Sequence, residues 1–182
     1  TSGGRFVLGI GLSHQIVIEQ MWGLSSEKPL RHMREYLSIL LSLLNDRAVA
    51  FSGETMSMQG NLGVTDVPAP PVLIAALGPK MLELAGTVAD GTVTWMTGPN
   101  TLATYTVPTI TAAAERAGRS APRISVSLPI CITEDPDGAR DRTDEPHRQG
   151  LLFREVADAL GAADPDVVLR EELLVLVELA RE

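Results

Sequence analysis

The sequence predicts an α/β fold, a parallel sheet covered by helices, and three observations carry that prediction. Short segments that are almost entirely apolar recur along the chain, too continuous for a one-sided strand, so they read as strands buried on both faces. Longer stretches between them carry apolar residues at helical spacing. The two kinds alternate, and a parallel neighbour requires such a crossover connection.

Each element follows from its residues. Phe6-Val7-Leu8-Gly9-Ile10-Gly11 is an apolar run bounded by glycines, read as a parallel strand buried on both faces. A polar loop leads to Pro29, which opens an amphipathic helix carrying Leu30, Met33, Leu37, Leu40, Leu41 and Leu44 and ending near Asn45. Val49 to Met58 alternate around Ser52-Gly53-Glu54, which predicts a small inserted hairpin. Val72 to Ala76 is the next strand, and Gly78-Pro79 starts a helix with Met81, Leu84, Ala85 and Val88 on one face. Thr92 to Met96 is a strand. Thr101 to Ala117 is helical, kinked at Pro108 or restarting there, and Ile124 to Thr133 is a fourth strand.

Beyond Glu134 the character changes. Asp135 to Gly150 reads as a charged linker, Phe153 to Leu160 as a helix, and Asp164-Pro165 as the start of a second helix carrying Val168, Leu169, Leu173, Leu176, Val177 and Ala180. The expected organisation is a sheet-and-helix segment over residues 1–133, with the hairpin near 48–60, then a divergent segment over 134–182.

Composition narrows the function. The 182 residues are 45% hydrophobic and 21% charged, an ordinary globular balance. One cysteine excludes an internal disulfide or a thiolate cluster, and Cys131 reads as a small core side chain. Fifteen Lys plus Arg against 23 Asp plus Glu give a net charge of -8, which disfavours nucleic acid. No apolar run approaches the roughly 18 residues of a membrane span, and no signal peptide is evident. A cytoplasmic location and a small-molecule partner are therefore expected. The chain enters a strand soon after Thr1 with no initiator Met, so it reads as part of something longer.

In parallel α/β sheets ligands gather at the carboxyl ends of the strands, which directs attention to three turns. Gly9-Ile10-Gly11-Leu12-Ser13-His14 fails as a dinucleotide fingerprint, because His14 stands where the third glycine is needed. Its glycines serve either tight packing or a ligand, and His14 at the strand mouth suits acid-base chemistry. Ala75-Ala76-Leu77-Gly78-Pro79-Lys80 is either an ordinary strand-to-helix turn or an anion site, since a helix start exposes backbone N–H groups. Trp95-Met96-Thr97-Gly98-Pro99-Asn100 places an indole where it faces a planar ligand or fills the core. His32 and His147 read as solvated, no histidine pair has metal-ligand spacing, and no metal site is proposed.

Five segments taken together are more specific than any of these turns. Ser2 to Gly11, Pro29-Leu30-Arg31-His32-Met33-Arg34-Glu35-Tyr36, Ala75 to Met81, Ala89-Asp90-Gly91 and Thr97-Gly98-Pro99 resemble, in order and spacing, the luciferase-like monooxygenase superfamily and within it the F420-dependent oxidoreductases. The resemblance covers roughly Thr1 to Arg140.

It implies a partial (β/α)8 TIM barrel, with strands four to seven present and the first three absent. It also implies a cofactor, coenzyme F420 or alternatively FMN, across the carboxyl ends of the strands, and hydride transfer to or from an organic substrate. Gly11, Leu12, Ser13 and His14 fall on the turn that meets the cofactor in such enzymes, and Ala76, Leu77, Gly78 and Met81 on the phosphate-side turn. His14 occupies the place of a glutamate that donates or accepts a proton in related sugar-phosphate dehydrogenases. Pro99 stands where those enzymes place a phosphate-binding lysine, so a sugar phosphate is not the expected substrate. A homodimer is expected from the resemblance. The alternatives are an FMN-dependent monooxygenase using molecular oxygen and a non-catalytic remnant of the fold.

Overall fold

A computed structural model of the chain describes residues 3–64, 67–130 and 173–178. Strands β1 (Leu8–Ile10), β4 (Val72–Ala75), β5 (Gly91–Trp95) and β6 (Arg123–Ile130) form a sheet in that spatial order, each pair parallel. Between them come helices α1 (Pro29–Asp46) and α2 (Pro79–Val88), then a third helical stretch that begins as α3 (Pro99–Thr101) and ends as α4 (Val107–Arg116). A separate antiparallel hairpin, β2 (Ala48–Ser52) with β3 (Ser57–Asn61), follows α1.

The strand period of two sorts the sheet residues. Val72, Ile74, Ala76, Ile124 and Val126 belong to the core with Met33 and Leu37 of α1, Leu82, Leu84 and Ala85 of α2, and Ile110 of α4. The helices therefore cover one face. Paired register puts Gly9, Leu73, Ala75, Val93 and Trp95 on the other. Leu37, Ile74, Leu82 and Ile110 are fully buried, and truncating any of them to Ala costs about 2–5 kcal/mol at such sites.

Gly86 brings α2 against α4. A Cβ there would meet the Ile110 carbonyl oxygen at 2.5 Å and Ala113 Cβ at 2.8 Å. The third helical stretch runs from α3 into α4, which starts at Val107 with Pro108 in its first turn, as a restart there predicts. It widens into a π-helical turn over Leu102–Thr106, and the Val107 N–H reaches back five residues to the Leu102 carbonyl just before Pro108. That wider turn accommodates the missing proline donor. After α4, Gly118 in the left-handed region lets the Arg119 N–H donate to the Ala114 carbonyl at 2.9 Å, a Schellman ending.

Four expectations are corrected. β1 is an edge strand with Leu8 and Ile10 half-buried and Gly9 exposed, not a strand buried on both faces, because among the described residues it pairs with β4 alone. The connection after it is not simply polar. Residues Val17–Met21 form a π-helical turn, and Ile16, Met21, Trp22 and Leu24 are exposed. Over Leu173–Glu178 the second closing helix gives way to strand β7, antiparallel to β6 with Val126 opposite Val177, and the rest of that expected helix lies outside the described residues. A continuous Leu/Val run of that length fits a strand as well as a buried helix, and the backbone groups along β6 supply its partners. The charged linker, the helix over Phe153 to Leu160, Cys131 and His147 lie outside the described residues. His32 is half-buried rather than solvated.

Candidate functional site

The amino ends of the strands are closed by a structural clasp. Asp90 donates its N–H to the Val72 carbonyl at 2.8 Å, and its carboxylate accepts the Val72 N–H at 2.8 Å. The same carboxylate pairs with Arg119 at 3.2 Å, and the Asp90 carbonyl accepts the Arg123 N–H at 2.9 Å. Gly91 beside it lies so close to Arg123 that a Cβ would overlap the Arg123 backbone, 2.7 Å from its carbonyl carbon. Ala89-Asp90-Gly91, one of the segments that carried the resemblance, thus joins β4, β5 and β6. A cleft of about 540 Å³ lined by Leu41, Leu44, Val88, Asp90 and Arg119 opens at this end. It is away from the turns that ligands favour in parallel sheets.

The carboxyl ends carry the other turns. Gly11 follows β1 beside β4, and a Cβ on Gly11 would come within 3.1 Å of Ala75 Cβ. Ala76, Leu77 and Gly78 follow β4 directly, so the turns Gly11 to His14 and Ala76 to Gly78 sit on adjacent strands at one end of the sheet. Ser13 has a φ of 62° and Met96, in the turn after β5, a φ of 51°. Left-handed conformations at non-glycine residues are costly and concentrate at functional sites.

The individual residues contribute differently. Ala76 is buried in the core, and Leu12 and Met81 pack half-buried against it, so these side chains hold the turns in place. Leu77 is exposed. Gly78 caps α2, its carbonyl accepting the Met81 N–H at 3.1 Å and the Leu82 N–H at 2.9 Å, and nothing lies within 4 Å of where its Cβ would be. That open space over a helix start suits an anionic group. His14 is exposed, and its carbonyl accepts the Ile18 N–H at 3.0 Å, which starts the π-helical turn. Within that turn the hydroxyl of Ser26 and the amide of Gln15 donate to Glu19 and lower its pKa.

The sequence left one feature open and missed another. Trp95 is 52% exposed although its strand neighbour Thr94 is fully buried. Glu35 on α1 is 7% exposed and binds the hairpin turn through the N–H groups of Glu54, Thr55 and Met56. Gly53 permits this approach, since a Cβ there would lie 2.6 Å from Glu35 Cδ. The hairpin's tip is further tied to α1 by Lys28 and Arg31, both paired with Glu54. Helical spacing could not reveal the role of Glu35, because the face it occupies is covered by the hairpin rather than by the sheet.

A run of parallel strands with helices on one face is the architecture of an α/β barrel segment, in which ligands gather at the carboxyl ends of the strands. The family model described as luciferase-like monooxygenase matches residues 1–171, and the chain belongs to that family. It is 31% identical over 168 residues to a 5,10-methylenetetrahydromethanopterin reductase of Methanolobus tindarius, a match covering 92% of this chain and 48% of the relative. Among solved structures it resembles the coenzyme F420 dependent tetrahydromethanopterin reductase of Methanopyrus kandleri, with a TM-score of 0.59 and 24% identity over 90% of this chain and 57% of that one. A monooxygenase from Streptomyces bottropensis gives a TM-score of 0.62 with 17% identity over 87% and 50%. These likenesses show the fold, the partial luciferase-like barrel that the sequence predicts. The chain spans about half the length of the relatives it matches.

Gly11 and Gly78 bear on whether a large cofactor fits. A Cβ on Gly11 would crowd Ala75, and Gly78 faces open space, so both turns present bare backbone, which is compatible with F420 or FMN lying across them.

Proposed function

We propose that the protein is an oxidoreductase that uses coenzyme F420 to move a hydride to or from an organic substrate, with this chain supplying two turns of the cofactor site. The observation that carries the reading is the placement of Gly11 to His14 beside Ala76 to Gly78 at the carboxyl end of the sheet. The sequence likeness to a methylenetetrahydromethanopterin reductase, and the fold shared with a reductase described as F420 dependent, support F420 over FMN.

In this reading the deazaflavin, when bound, supplies the hydride-carrying ring. The start of α2 offers the Lys80 N–H and the helix dipole to the cofactor's phosphate, and Gly78 lets that group approach. Gly11, Leu12 and Ser13 hold the backbone under the ring, and Met81 and Ala76 anchor the second turn from the core. His14 holds or releases a proton at an imidazole nitrogen as the substrate changes oxidation state.

Titration of the purified chain with F420 and with FMN, followed by ring absorbance and fluorescence, tests the reading. F420 is expected to bind at micromolar concentration and about tenfold or more tighter than FMN. Tighter FMN binding would instead favour an oxygen-using monooxygenase, as would fit the Streptomyces fold relative. A folded chain that binds neither refutes the proposal and leaves a non-catalytic remnant.

A further inference from the structure

The segment from Ser13 to Lys28 carries the chain from the first candidate turn back to α1, and both its ends are fixed. Ser13, with a φ of 62°, belongs to the turn that follows β1. Lys28 has a φ of 54°, its carbonyl accepts the His32 N–H at 2.9 Å, and its ammonium pairs with Glu54 at the hairpin tip. Between these ends lies one short helical passage, Gln15 to Met21, which widens into the π-helical turn. About two turns of helix are marginal by themselves, because few bonds are there to offset the cost of nucleation. Something other than propensity has to hold them.

Glu19 does so by joining the outgoing and returning arms of the segment. The Gln15 amide, four residues earlier on the same helix face, donates to Oε2 of Glu19 at 3.0 Å, and the Ser26 hydroxyl, seven residues later, donates to its Oε1. Both bonds have a charged acceptor, the stronger kind, and the two donors, Ser26 foremost, hold the Glu19 carboxyl below its ordinary pKa. The backbone makes the return between them. Gly23 has a φ of 65°, the Trp22 N–H donates to the Val17 carbonyl at 3.2 Å, and the Leu24 N–H donates to the Ile18 carbonyl at 3.0 Å. Ile18 in turn donates its N–H to the His14 carbonyl at 3.0 Å, so the bonds that Glu19 closes end on the candidate acid-base residue.

We propose that Glu19 is a positioning residue for this site: its carboxylate ties the Gln15 and Ser26 arms together and so holds Ser13 and His14 in their binding geometry before the cofactor arrives. This rests on the function proposed above and goes further by naming the residue that prepares its first turn. A loop left open in the middle samples many conformations even when its ends are fixed, and a ligand that binds it bears the cost of ordering it. Glu19 removes that cost through hydrogen bonding rather than through charge, since a carboxylate does not attract an anionic cofactor. Glu19→Gln keeps both partners: the carboxamide oxygen accepts from Ser26, and the carboxamide N–H donates to Gln15 once that side-chain amide turns over. Glu19→Ala keeps neither.

The test is equilibrium binding of F420 alone, read by the ring's fluorescence, to the wild-type chain and to Glu19→Ala, Glu19→Gln and Ser26→Ala. Thermal midpoints serve as folding controls, and amide exchange at Ile18 and Leu24 is measured without cofactor. Glu19→Ala is expected to lose about tenfold in affinity, and exchange at both amides to quicken about tenfold or more. Glu19→Gln is expected to stay within about threefold of wild type in both readings, and Ser26→Ala to fall between the two. Glu19→Ala and Glu19→Gln remove the same charge, so the difference between them reads hydrogen bonding alone. Should Glu19→Ala not fold, the weaker binding of Ser26→Ala must still be seen. Binding or exchange in Glu19→Ala that matches wild type overturns the role of Glu19 and leaves the function standing, as does Glu19→Gln that binds as weakly as Glu19→Ala. A wild-type chain that binds no F420 overturns the function itself and this inference with it.

Discussion

The carboxylate of Glu35 accepts both the amide N–H and the hydroxyl of Thr55, each at 2.8 Å. One side chain from α1 thereby satisfies the turn of a hairpin about twenty residues further along, and α1 also packs on β2, with Ile39 of α1 and Val49 of β2 buried. A two-stranded hairpin is marginal by itself, so this junction is what makes β2 and β3 part of the folded protein.

The junction makes stability depend on pH. Burial raises the pKa of Glu35, but the N–H and hydroxyl of Thr55 and the N–H groups of Glu54 and Met56 outweigh it and hold the group at about 2, against an ordinary 4.5. A carboxylate depressed on folding stabilises the native state above its unfolded pKa, and that contribution is lost as pH falls from about 4.5 towards about 2. Urea midpoints of wild type and Glu35→Gln should differ most at neutral pH and converge at the acid end of this window. Parallel curves across it would show that the Glu35 contacts carry no net stabilisation.

Gly86→Ala sets two effects against each other. Helix propensity favours Ala by up to about 1 kcal/mol. The new Cβ, however, would stand 2.5 Å from the Ile110 carbonyl oxygen and 3.0 Å from the Ala114 nitrogen, both backbone atoms that yield little. Overpacking of this kind costs about 1–3 kcal/mol, so the variant should be less stable, with a lower thermal midpoint. A more stable variant would mean that α2 and α4 separate freely.

Asp90→Ala removes the acceptor for the Val72 N–H and the partner of Arg119. A loss of about 1–3 kcal/mol in chemical denaturation is expected, because the Val72 donor lies at a fully buried strand position. Arg119→Ala should cost less, the exposed ion pair at 3.2 Å contributing at most about 1 kcal/mol. Neither change should alter cofactor affinity, since the clasp is at the opposite end of the sheet from Gly11 and Gly78.

His14→Ala, made in an active full-length enzyme containing this segment, should lower kcat by about a hundredfold while cofactor binding is retained, the size expected for loss of a general acid or base. The limb of the kcat pH profile that reports the imidazole should vanish. Turnover that is unchanged at every pH would remove His14 from the chemistry.

Much of the architecture was legible because its causes are local. Pro29 and Pro79 stand in the first turns of the helices they were expected to open, where a proline's missing donor does no harm. Val72 to Ala75 and Gly91 to Trp95 form strands where continuous apolar or β-branched runs demanded burial. The candidate turns were legible for a further reason: in a parallel sheet the order of elements alone dictates which turns share an end.

What the sequence by itself determined was therefore the rhythm of strand and helix, the parallel pairing and the end of the sheet at which a ligand would be sought. Tertiary structure alone decided that Glu35 is buried, that Trp95 is not, and that the Leu173–Glu178 run pairs as a strand with β6. The physical reason is common to all three. Helical or strand periodicity says which side of an element a residue occupies, but not what covers that side. Burial, hydrogen-bond partners and strand pairing come from elements distant in sequence and exist only once those elements have met.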